Sequence, residues 1–216
     1  MINLYVYCEG QTEESFVKNS LIPHFIQKNI ILCPIICRTK EGPNGIFKGG
    51  LTDYNKAVKE IKRLCNQHPN EKVTSFIDYY GLHNIPQIEY NGTDKYQLIL
   101  SIEQKFYEDV DCGNFIPYIS LHEFESLLFS RPEEFTYLKP TAVFKFKTIL
   151  SEFNDNPELI NNGRETAPSK RILKEIDNYS KVLDGNTIAK RVTLSEIRKK
   201  CQHFNRWITN LESIVF

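Results

Sequence analysis

The chain has no CxxC pair among its six cysteines, Cys8, Cys33, Cys37, Cys65, Cys112 and Cys201. That spacing argues against a zinc site and leaves the thiols as reduced residues of a cytosolic protein, with Cys33 and Cys37 flanking an apolar run inside a strand. No apolar run approaches the length of a membrane span, so no membrane partner is expected. No basic segment precedes the first apolar run, so the expectation is no signal peptide and a cytoplasmic location. Neither sign of charge is in excess: 27 basic side chains face 27 acidic ones. A strongly basic nucleic-acid binder does not look like this, although charge can be segregated by face. Lys170, Arg171, Lys174, Lys181, Lys190, Arg191, Arg198, Lys199 and Lys200 make the last third locally basic. The Walker lysine pattern is missing, which argues against an ATPase and leaves Gly49-Gly50 as a turn. There is no nucleophile elbow for a serine hydrolase, no internal repeat and no low-complexity tract.

What is present is a regular alternation of patterns. Of the 216 residues, 41% are hydrophobic, enough for a packed core. Residues 2–8 alternate as a strand. Thr12 is a plausible cap for a helix reaching Lys28, with Glu13 and Glu14 in its first turn. Ile30 to Cys37 is a strand so apolar that it predicts a central position or burial on both faces, while Pro34 inside it signals an edge or a bulge. Residues 40–50 read as a loop, and Thr52 or Asp53 as the cap of a helix ending near Asn66. Lys72 to Ile77 is a third strand ending at Asp78, Asp94 to Asp109 a helix, and Phe115 to Ser120 a fourth strand running into Leu121-His122-Glu123-Phe124-Glu125. Strands separated by helices predict an α/β fold: a mostly parallel, Rossmann-like sheet with helices on both faces. Beyond Pro132 only helical pieces remain, broken at Pro140, Pro157, Gly163 and Pro168 and ending on Trp207, Leu211, Ile214 and Val215. The expected partition is a core over residues 1–130 and a helical C-terminal extension over 131–216.

Three acidic positions follow three strands: Glu9, Asp78, and the pair Glu123 and Glu125. The C-terminal ends of parallel strands share one edge, where ligands of open α/β sheets bind. Carboxylates gathered there repel one another and call for a counter-charge. A divalent cation supplies it, and an all-oxygen donor set suits Mg²⁺ or Mn²⁺. Such sites activate water and neutralise a phosphate.

These residues resemble a family. Cys8-Glu9-Gly10-Gln11-Thr12-Glu13, Phe76-Ile77-Asp78-Tyr79-Tyr80, His122-Glu123-Phe124-Glu125 and Glu165-Thr166-Ala167-Pro168-Ser169-Lys170-Arg171 resemble, in order, the Toprim fold of topoisomerases, primases and OLD-type nucleases, and more narrowly the bacterial family DUF4276. The resemblance implies a metal-dependent nuclease, with nucleic acid (DNA or RNA) as substrate and an SMC- or ABC-type ATPase encoded nearby, in a defence-like module. It implies Glu9, Asp78 and Lys170 as catalytic residues, Glu9, Glu13, Asp78, Glu123 and Glu125 as metal ligands, and Lys170 and Arg171 as phosphate contacts. Topoisomerase-type members carry Asp-x-Asp where this chain has Asp78-Tyr79-Tyr80, so Glu123 and Glu125 would supply the missing ligands.

Each of these residues also has a structural reading. Glu9 and Asp78 could be turn residues, and Glu13 a first-turn acid beside a cap. Glu123 and Glu125 face the same way only if the strand continues through both; on a helix they diverge by about 200°. His122 is either a site residue or a satisfied histidine. Pro168-Ser169-Lys170-Arg171 reads as a helix start with proline at its first position, suited to phosphate or to a solvated basic turn. The rival functional readings are a catalytically degenerate regulatory subunit docking on an ATPase, and phosphoryl chemistry on a small substrate.

Overall fold

The computed structural model describes residues 1–42, 45–48, 53–161 and 163–214. Gly49-Gly50, Thr52 and Val215 lie outside the described residues. The chain divides into two compact units, Met1–Leu121 and His122–Phe216.

The first unit is built on a parallel sheet. Strand β1 (Ile2–Cys8) leads into helix α1 (Gln11–Phe16), a π-helical turn (Val17–Leu21), helix α2 (Ile22–Phe25) and a 3-10 turn (Ile26–Lys28). The single helix expected from Thr12 to Lys28 is thus interrupted. Pro23, in the first turn of α2, lacks the N–H that an unbroken α-helix would need there, and the turn before it widens. Strand β2 (Ile30–Ile36) follows Asn29, whose φ of 61° closes the helical segment. Strands β3 (Arg38–Gly42) and β4 (Gly45–Lys48) form an antiparallel hairpin where a loop was expected. The turn residues at its centre made the whole segment read as irregular. Helix α3 (Tyr54–Gln67) starts on Asp53, which accepts from Lys56 N at 2.8 Å. Strand β5 (Lys72–Asp78), helix α4 (Lys95–Val110) and strands β6 (Phe115–Ile116) and β7 (Ile119–Ser120) complete the unit.

The order is β2-β1-β5-β6, with β7 also on β5, and every pairing is parallel. β2 is therefore an edge strand, as Pro34 signals, and the central placement drawn from its apolarity is corrected. Ile31 and Ile35 remain 37% and 40% exposed. The expected fourth strand is split at Pro117, which has no N–H for the ladder. Hydroxyls of β5 take over there: Ser75 Oγ donates to Tyr118 O and accepts from Tyr118 N, both at 2.9 Å, and Thr74 Oγ1 donates to Ile116 O at 2.7 Å. Helices cover both faces. Phe16 of α1 meets Phe76 edge-on at 6.0 Å, while on the other face Tyr7 donates to Glu60 of α3 at 2.8 Å.

The second unit is helical. Short 3-10 segments (Phe124–Ser130, Pro132–Tyr137, Pro140–Ala142) lead to α5 (Val143–Glu152). Two more (Pro157–Leu159, Arg164–Thr166) precede α6 (Pro168–Glu175). A π-helical turn (Lys181–Gly185), α7 (Asn186–Val192), α8 (Leu194–Lys200) and α9 (Gln202–Glu212) follow. Its core includes the rings of Phe129, Phe135 and Phe146, 4.6–5.8 Å apart. No helix among the described residues is long and apolar enough to cross a membrane.

Candidate functional site

In the first unit, two of the sequence-predicted acids lie at the C-terminal edge of the sheet. Glu9 leaves β1 with its N–H donated to Phe76 O of β5 at 3.1 Å. Its carboxylate Oε2 accepts the backbone N–H of Asp78 at 3.0 Å. Its carbonyl accepts the Cys37 thiol at 2.9 Å, which ties the end of β2 to the same point. Asp78 is the last residue of β5, paired with Ser120 of β7, and Tyr79 N donates to Ser120 O at 3.0 Å. Parallel pairing thus brings together Glu9 and Asp78, 69 residues apart in sequence. Glu13 is 6% exposed, and its Oε2 accepts Gly10 N at 2.8 Å. That bond satisfies a free N–H at the start of α1, which is the structural reading of a first-turn acid.

In the second unit, His122 Nδ1 and Asn161 Nδ2 lie 3.2 Å apart. Glu123 is extended (φ −132°, ψ 154°) and the 3-10 helix begins at Phe124. The segment is therefore neither the continuous strand nor the helix from His122 that the sequence left open. Both carboxylates nonetheless reach one cation. Lys181 Nζ lies 3.8 Å from Glu123 Oε1 and 3.2 Å from Glu125 Oε1, and donates to Glu125 Oε2 at 3.3 Å. Glu123 is further held by Ser169, through N–H at 2.9 Å and Oγ at 3.1 Å. The helix start expected to hold a substrate phosphate thus holds the carboxylate of Glu123, by the same attraction of free N–H groups for an anion.

Glu125 is 1% exposed. Burial drives its carboxyl up to about 7, Lys181 opposes the rise and Glu123 adds to it. Its Oε1 accepts no hydrogen bond among the described residues. The buried Tyr179 phenol is also pushed up, first by burial and then by Glu125, Asp184 and Glu123. A Cβ at Gly185 would come within 2.7 Å of Tyr179 Oη and 3.5 Å of the Phe124 ring, so this position needs glycine for space. The expected phosphate contacts differ from each other. Lys170 is exposed on α6. Arg171 is engaged within the unit: Nε donates to Thr166 O at 2.6 Å, and the guanidinium lies over the Phe153 ring at 5.5 Å.

A family model described as Domain of unknown function (DUF4276) matches residues 8–212. The chain belongs to the DUF4276 family. Solved structures similar to this DUF4276 chain include the C-terminal region of the Burkholderia pseudomallei OLD protein, at 14% identity over 99% of this chain and 100% of that one, with a TM-score of 0.46. Another is the C-terminal region of the Xanthomonas campestris pv. campestris OLD protein, phased with mercury, at 13% identity over 96% and 97%, with a TM-score of 0.39. No curated protein matches the chain.

Sequence reasoning missed three residues of the DUF4276 chain's second cluster. Lys181 was read only as part of the basic last third, and Ser169 only as part of a helix start. Tyr179 carried no sequence signal. The chemistry of the donors fits a hard cation, because both clusters present carboxylate oxygens. The number converging does not reach three: among the described residues no group of three His, Cys, Asp or Glu side chains is arranged to hold a metal ion. Glu123 and Glu125 come together on Lys181, while Glu9 reaches Asp78 through that residue's backbone N–H.

Proposed function

We propose that this protein is a Mg²⁺- or Mn²⁺-dependent nuclease that hydrolyses nucleic-acid phosphodiesters. The observation that carries the reading is the second cluster: two buried carboxylates, Glu123 and Glu125, that both pair with the Lys181 ammonium. With both acids ionised, negative charge would be in excess there, a state that burial disfavours and a bound cation would relieve. Glu125 Oε1, which accepts no hydrogen bond among the described residues and lies 3.2 Å from Lys181 Nζ, is the oxygen offered to a cation that would complete the charge. In the first unit, Glu9 and Asp78 lie at one sheet edge, joined by the bond from Asp78 N–H to the Glu9 carboxylate, and would be the further acids offered to a cation. A bound divalent cation would neutralise phosphate charge and lower the pKa of water. Ser169 holds Glu123 in one orientation, and Lys181 places positive charge beside both acids. Lys170 is the exposed cation offered to substrate phosphate. A partner ATPase of SMC or ABC type, in a bacterial defence setting, belongs to the same proposal.

The test is Mn²⁺ titration of the full chain, paired with cleavage of single- and double-stranded oligonucleotides. Glu9→Ala, Asp78→Ala and Glu125→Gln are expected to weaken Mn²⁺ binding at least about tenfold, by analogy with the cost of disturbing a metal's ligand shell, and to abolish metal-dependent cleavage. Full cleavage by Glu9→Ala and Asp78→Ala would overturn the ligand assignment. Metal binding with no cleavage by the native chain would favour the degenerate, regulatory reading.

A further inference from the structure

Two cysteines lie on elements that carry none of the candidate ligands. Cys65 sits in the last turn of α3 and is 2% exposed, while Cys112 follows α4 and is half-buried. The Cys112 thiol is close enough to help raise the Cys65 thiol. Cys112 Sγ also lies 3.9 Å from Asn66 Oδ1, on the residue next to Cys65. Both backbones are pinned. Asn114 Nδ2 donates to the carbonyls of Cys65, His68 and Glu71 at 3.4, 3.0 and 2.9 Å, tying the end of α3 to the turn that carries Cys112. Lys62 of α3 pairs with Asp111 at 3.3 Å, and Asp111 ends α4 in the left-handed conformation at φ 52°. Among the other thiols, Cys37 is bonded to Glu9 O and Cys201 to Ser130 Oγ.

We propose that Cys65 and Cys112 form a redox pair that hydrogen peroxide converts to an intramolecular disulfide. Cys112, the more accessible thiol, attacks the peroxide oxygen; the O–O bond breaks, water leaves and Cys112 becomes a sulfenic acid. Cys65 sulfur then attacks the Cys112 sulfur, the S–O bond breaks and a second water leaves. Two electrons pass from the two sulfurs to the peroxide, and both thiol protons end in water. The division of roles follows from environment. Burial and the neighbouring Cys112 hold the Cys65 thiol up at about 12, so it carries little thiolate for the first attack and serves as the resolving group. The Asn114 tether and the Lys62–Asp111 pair hold the end of α3 beside the turn after α4, so the two thiols need only be brought into the narrow geometry a disulfide requires.

The experiment treats the full chain with hydrogen peroxide and maps its peptides under non-reducing conditions. The native protein should lose two thiols and yield a linked pair containing Cys65 and Cys112, reversed by dithiothreitol. Cys65→Ser should stop at a sulfenic acid on Cys112 that dimedone traps, and Cys112→Ser should yield no such link. The native mapping stands alone if Cys65→Ser fails to fold. Oxidation of native Cys112 to sulfinic acid without the link, or linkage of other cysteines in preference, would overturn the proposal.

Discussion

Glu125 concentrates the electrostatics of its unit in one side chain. Its folded carboxyl titrates near 7, above the ordinary value of 4.5, because burial outweighs the help from Lys181. A carboxyl raised on folding keeps a proton that the unfolded chain releases, so stability falls with rising pH between the two values. The contribution is intact below about 4.5, is lost through about 7 and is flat beyond. Glu125→Gln removes that titration. In EDTA, the variant should lose less stability between pH 5 and pH 8 than the native chain, by about 1–3 kcal/mol in denaturant unfolding. Parallel pH curves for the two proteins would show that Glu125 is ionised in the folded state. The sequence marked this carboxylate as a site residue but not its protonation, which depends first on burial and then on Lys181, 56 residues away.

At the scale of elements, carboxylates inside this protein close helix starts. Glu123 does so for α6, and Glu158, 2% exposed, accepts His203 N at 3.0 Å and Phe204 N at 2.8 Å at the start of α9. Glu158→Ala strands two buried N–H groups and should cost about 2–4 kcal/mol, read as a lower urea midpoint; an unchanged midpoint would mean that water replaces the carboxylate. Neither acid lies near its helix in sequence, which is why this use of charge escaped a reading built on local capping. What was legible follows the same boundary. The parallel alternation, the cap at Asp53 and the edge signal of Pro34 are carried by local pattern and were read. The interruption before Pro23 and the split at Pro117 depend on which N–H groups the surrounding elements demand. The apolar run of β2 misled because one of its faces is only partly covered. Of the candidate site, Glu9 and Asp78 were legible because strand ends of a parallel sheet are predictable places. Ser169, Tyr179 and Lys181 were not, because only tertiary packing brings them to Glu123 and Glu125.

Over the whole chain the charges cancel, but not evenly. Met1–Leu121 carries 12 basic and 14 acidic side chains, and His122–Phe216 carries 15 and 13. Much of that second set is spent internally: Arg191 pairs with Glu134 at 3.0 Å, Arg198 with Glu212 at 2.7 Å and Lys199 with Glu196 at 2.5 Å. The basic last third is therefore a weaker polyanion surface than its sequence implies. Lys170 and Lys174 differ, being exposed and forming no ion pair among the described residues. They stand one turn apart on α6, hence on the same face. If the nuclease reading holds, nucleic-acid affinity rests on few phosphate contacts and its salt dependence is shallow. Each contact contributes about 0.7 to the log–log slope against salt on single strands and about 0.9 on duplex. Charge reversal at both positions, Lys170→Glu with Lys174→Glu, should reduce the slope by about 1.4–1.8, measured by fluorescence anisotropy between 50 and 200 mM salt. The fold should be untouched, since both side chains point to solvent. A slope unchanged by the double reversal would move the nucleic-acid surface off α6 and remove Lys170 from the proposed phosphate contacts, while leaving the carboxylate clusters to be judged by metal binding alone.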